Sequence, residues 1–147
     1  MPDNPHFEFP SSLAEAKKLV TFDPLTPKMT ELTMNSIAVF VRDHKQRDLS
    51  LDERSLELHY DGFVFSQTRK GAAEARRMTR EVSFGPAPQE ALIAGREGRL
   101  YPLGPESDDI DPRNPATVVW HDGDMFYLIA SDSRDAYALL QIAQSAY

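Results

Sequence analysis

The chain has 147 residues, 41% hydrophobic and 10% aromatic, which is enough to pack one domain without covalent staples. It has no cysteine, which excludes disulfides, thiolate metal sites and a cysteine nucleophile. Sixteen basic against 23 acidic side chains leave a net charge of -7, which disfavours nucleic-acid binding, for which a concentrated basic face is needed.

In chain order, residues 1–11 hold three prolines and little periodicity and are expected to form a flexible lead-in to a single domain over 12–147. Met1-Pro2-Asp3-Asn4-Pro5 lacks a basic segment followed by an apolar stretch, so no signal peptide is expected. No apolar run reaches the ~18 residues of a membrane span. Ser12 and Glu15 have capping-box spacing ahead of a short helix, which Pro24 and Pro27 bring to an end. Met34 to Arg42 alternates as a strand with Ile37, Val39 and Val41 on one face. The charged stretch Asp43 to Arg54 is expected to be a surface loop.

Asp61-Gly62 between alternating segments predicts a type I′ hairpin that sets Tyr60 opposite Phe63 and Leu58 opposite Phe65. Leu56, Leu58, Tyr60, Phe63 and Phe65 then share a core face, with Glu57, His59 and Ser66 on the other. Residues 69–80 read equally as helix or strand. The basic group Arg69, Lys70, Arg76, Arg77 and Arg80 is expected to be a solvated turn and not a phosphate-reading patch. A further strand can begin at Glu81–Phe84, and Gly95 to Gly98 marks another hairpin turn.

The acidic stretch with Asp108, Asp109 and Asp111 lacks the glycine and glutamate of a calcium-binding EF-hand loop, and reads as a plain acidic loop. Asp122-Gly123 repeats the hairpin signal, placing Trp120 beside Met125 and Val118 beside Tyr127. Val119, Phe126 and Leu128 fall on the opposite face. Both faces are apolar, so this hairpin is expected at the sheet's centre. Ser131 or Ser133 is expected to cap a final helix over roughly 134–146, whose stripe of Ala136, Leu139, Leu140, Ile142, Ala143 and Ala146 closes over the sheet. The expected fold class is α+β: a curved, mainly antiparallel sheet with a short N-terminal helix and a C-terminal helix packed on it.

Chemistry is less legible. His59-Tyr60-Asp61-Gly62 and His121-Asp122-Gly123 invite a metal reading, but turn formation already accounts for the aspartates, and each histidine fits a solvent-side strand position. The chain contains no nucleophile elbow, zinc-protease motif, phosphate loop or dinucleotide fingerprint. No catalytic residue, cofactor or metal ligand is expected. Trp120 and Tyr127 fit core positions, and with Met125 they are also candidates to line an apolar pocket.

The order of features resembles a known family. Ala14-Glu15-Ala16 leads into Phe22-Asp23-Pro24-Leu25-Thr26-Pro27, and Leu58-His59-Tyr60 opens a hairpin ending on Ser66-Gln67. Ala94-Gly95-Arg96-Glu97-Gly98, Val119-Trp120 and Tyr127-Leu128 follow, and the close is Leu140-Gln141-Ile142-Ala143-Gln144-Ser145. The pattern is similar to the uncharacterised extracytoplasmic domain at the C-terminal end of bacterial anti-sigma-factor-like and lipoprotein-like membrane-anchored proteins. That resemblance implies an architecture like the half-barrels of periplasmic lipoprotein carriers, an extracytoplasmic location and no assigned catalytic residues. Two functions fit these features. One is a non-enzymatic binding or sensing domain that meets a protein partner. The other is a carrier of an apolar ligand or lipid, with Trp120, Met125 and Tyr127 lining its cavity. His59 and His121 are the remaining candidate contact residues.

Overall fold

Strand-forming alternation builds one open antiparallel sheet in the computed structural model, which describes residues 6–75, 88–103 and 115–147. Its strands are β1 (Phe7–Glu8), β2 (Met34–Phe40), β3 (Ser55–Tyr60), β4 (Phe63–Arg69), β5 (Gln89–Ile93), β6 (Arg96–Tyr101), β7 (Ala116–Asp122) and β8 (Met125–Ser131). They lie in the order β1-β2-β3-β4-β8-β7-β6-β5. Two meanders therefore meet at β4 and β8, where Ser66 stands opposite Leu128. Helices α1 (Leu13–Lys17), α2 (Lys70–Ala75) and α3 (Ala136–Gln144) complete the described elements, with a short 3-10 turn at Leu51–Glu53. The α+β class and the mainly antiparallel sheet are as expected. The lead-in differs at its described end: Phe7 and Glu8 pair with Phe40 and Val39, so the chain begins the sheet before α1.

One sheet face is the core. Ile37, Val39, Leu56, Leu58, Phe63, Phe65, Val118, Trp120, Tyr127 and Ile129 are buried on it. Two covers close it. One is the stripe Ala136, Leu139, Ile142 and Ala143 of α3. The other is α1 with the irregular strap that follows it, whose Val20, Phe22, Leu25, Met29 and Leu32 pack into the same cluster. A side chain of the sheet supplies hydrogen bonds to the backbone of that strap. The fully buried Gln67 accepts the Leu25 amide at 2.8 Å and donates to the Leu25 carbonyl at 2.5 Å. The strap also meets α3, since the Lys28 amide donates to the Ser145 carbonyl at 3.1 Å.

Turn chemistry departs from expectation in three places. At Asp61-Gly62 only Gly62 has positive φ (90°), so the turn is not type I′, although the predicted pairs Tyr60–Phe63 and Leu58–Phe65 form. The second hairpin turns at Gly123-Asp124 instead of Asp122-Gly123, with Gly123 at φ 59° in the position that a type II′ turn reserves for glycine. Trp120 therefore pairs with Tyr127, and Val118 with Ile129. The slip is two residues, so every side chain keeps its predicted face. In the third hairpin the turn is Ala94-Gly95 alone, both at positive φ (49° and 86°), and Arg96 and Glu97 belong to β6.

Helix capping is partly as expected. The Ser12 hydroxyl accepts the Glu15 amide at 3.2 Å, whereas the Glu15 carboxylate pairs with Lys18. The cap of α3 is Asp135, which accepts the Ala138 amide at 2.8 Å. Ser131 serves one step earlier, accepting the amides of Ser133 and Arg134. The ambiguous stretch after residue 69 opens as α2. Arg69 holds that corner by donating to Asp124, to the Thr21 hydroxyl and to the Thr21 carbonyl. Arg76, Arg77, Arg80, the strand expected at Glu81–Phe84 and the acidic loop of Asp108, Asp109 and Asp111 lie outside the described residues.

Candidate functional site

Trp120, Met125 and Tyr127 project from the core face. Trp120 and Tyr127 stack at 5.1 Å between centroids, and Phe65 lies 5.7 Å and 6.0 Å from them. The Trp120 indole donates to the Tyr147 hydroxyl at 2.9 Å, and the Arg96 guanidinium lies 3.8 Å above the Tyr147 ring. Arg96 Nε is 2.8 Å from an Asp122 oxygen, close enough to pair, but its N–H is not aimed at that oxygen. Met125 is half-buried and packs against the same cluster. These rings fill the space in which a cavity between sheet and closing helix was expected to lie.

Burial pushes the Tyr127 phenol up to about 12, with the Tyr147 and Asp122 charges adding to it and Arg96 opposing. The folded state thus favours the neutral phenol. Stability from this group is complete below pH ~10 and is lost between there and about 12, because the unfolded chain ionises first. Two pH units correspond to about 3 kcal/mol. Urea unfolding at pH 8, 9.5 and 11 should show a steep alkaline decline that Tyr127→Phe flattens. An unchanged slope in that variant would remove Tyr127 as its source.

The second sheet face carries His59 and His121. His59 is half-buried, with Nε2 2.9 Å from a Glu57 carboxylate oxygen. His121 is exposed, its ring 5.3 Å from Phe126. Partial desolvation by its neighbours lowers its pKa from the usual histidine value, helped by the Lys70 charge and opposed by Glu74. Strands β4 and β8 stand between the two histidines, so three strand spacings, about 14 Å, separate them across the sheet before the four-residue offset along β7 is added, and one ion cannot bridge them. Among the described residues no group of three or more histidine, aspartate or glutamate side chains could hold a metal.

A cleft of about 1060 Å³ opens on this second face over β5 to β8. Val119, Phe126, Leu128 and Ala130 form an apolar floor, with Glu90, Leu92, Glu97, Arg99, Tyr101, Thr117 and His121 around it. Val119, Leu128 and Ala130 are only half-buried, unlike their neighbours on the core face. The hairpin is therefore apolar on both faces as expected, but its second face is partly exposed. Glu90 stands directly opposite Arg99, and Glu97 leaves the margin with one carboxylate in excess. Sequence alternation placed Val119, Phe126 and Leu128 on this face. The contributions of β5 and β6 were missed because only the register brings their charged residues alongside that floor.

Compared with protein-family models, with curated proteins and with solved structures, the chain matches none. Among the described residues no helix is long and apolar enough to cross a membrane.

Proposed function

We propose that this chain is a non-enzymatic binding or sensing domain that meets a protein partner through the second face of its sheet. The carrying observation is the half-buried Val119–Leu128–Ala130 floor, an apolar strip with charges at its margin and an adjoining cleft. Apolar surface framed by polar groups is what an interface core presents before docking. The sequence resemblance supports placing the domain in the extracytoplasmic part of a bacterial regulatory protein. No catalytic role is assigned to His59 or His121.

A second reading, carriage of an apolar ligand, draws support from the cleft's volume, which is at the upper end for small-molecule sites. Immobilised wild-type chain and Leu128→Lys separate the two readings. A protein recovered from a bacterial extract by the wild type and lost by Leu128→Lys, at unchanged melting temperature, is the expected result. A partner held equally by both would end the proposal, and saturable palmitate binding at the cleft without any protein partner would favour the carrier.

A further inference from the structure

We propose that Gln144, with Tyr137, closes the outer edge of β5 against strand pairing by a second copy of this chain. A two-residue turn at Ala94-Gly95 makes Ile93 and Arg96 a hydrogen-bonded pair, as are Ala91 with Gly98 and Gln89 with Leu100. The intervening residues, Glu90 and Leu92, therefore turn their backbone N–H and C=O groups away from β6. Among the described residues β6 is the only strand beside β5, so those groups face the sheet's margin. A row of such groups is a template for another strand, and Leu92, 61% exposed, adds apolar surface to it.

Helix α3 takes one position of this template. Gln144 Nε2 donates to the Leu92 carbonyl at 3.2 Å, the bond that an incoming strand's amide would make. Two turns earlier on the same side of α3, the Tyr137 hydroxyl donates to the Gln89 side chain at 2.9 Å. Tyr137 is itself 60% exposed, so core burial does not account for its position. Both side chains reach over the margin of the sheet while the opposite face of α3 packs in the core.

Analytical ultracentrifugation of the 147-residue chain across a concentration series tests this. The wild type should remain monomeric where Gln144→Ala/Tyr137→Phe self-associates, with a dimer constant at least about tenfold tighter. Gln144→Met, which keeps the length but loses the donor, should associate in the same way. Adding Leu92→Pro should restore the monomer, because it removes the outward-facing N–H and the exposed leucine side chain that a second strand would meet, and no hydrogen bond to β6. A double variant that sediments like the wild type, with an unchanged circular dichroism spectrum, overturns the proposal. So does association that survives Leu92→Pro.

Discussion

Gly98→Ala should destabilise the fold by about 3 kcal/mol, the upper range for overpacking a filled core. Gly98 sits within β6, opposite both Ala91 of β5 and Trp120 of β7. A methyl group there would lie 2.4 Å from Ile93 Cδ1, 2.6 Å from the Val119 carbonyl oxygen and 3.0 Å from Trp120 Cβ. Its backbone has no positive φ, so the cost is steric and not conformational. Ile93 can rotate or be shortened, but the carbonyl belongs to the central hairpin and cannot withdraw without moving β7. Ile93→Val should therefore recover only part of the loss. Denaturant unfolding of the single and double variants checks both points, and a Gly98→Ala midpoint equal to wild type would contradict them.

Gln67→Met should cost about 2–4 kcal/mol, because it leaves both the amide and the carbonyl of Leu25 without a partner beneath the strap. Volume and shape are nearly conserved, so cavity formation contributes little. The loss should be local before it is global. Hydrogen exchange at the Leu25 amide should accelerate well before that of the β4 and β8 amides, because the strap can lift while the sheet persists. Equal acceleration everywhere, or a stability within 0.5 kcal/mol of wild type, would show that Gln67 is not the clamp.

These two residues also mark where sequence reading stops. Alternation in β3, β4, β7 and β8 assigned every buried face correctly, because a period of two depends only on local order. The Asp-Gly signal located both hairpins but not their turn types, since Gly123 took the first turn position and displaced Asp122 into the strand. Gln67 looked like one more polar strand residue, because its partner, Leu25, lies in a proline-bounded stretch with no periodicity of its own. Gly98 looked like part of a turn, because a glycine that makes room for Trp120 is indistinguishable in sequence from one that bends the chain. The candidate face was half legible. Val119, Phe126 and Leu128 carried its signal, whereas Arg99 and Glu97 acquired meaning only when β6 docked beside β7.

The meeting of β4 with β8 has one more consequence. A half-turn about the sheet normal through Ser66 and Leu128 lays the first hairpin onto the second: Tyr60–Phe63 falls on Asp122–Met125, and Leu58–Phe65 on Trp120–Tyr127. His59 falls on His121, so the two imidazoles are counterparts at opposite corners of one face, not members of one centre. Ile37, opposite Leu58, falls on Gly98, opposite Trp120. The chain is organised like a homodimer made continuous, in which one half balances two medium side chains and the other trades nothing at Gly98 for an indole. That exchange of volume across an internal dyad sets the two halves apart: the space a side chain fills at Ile37 is left empty at Gly98 for the Trp120 ring.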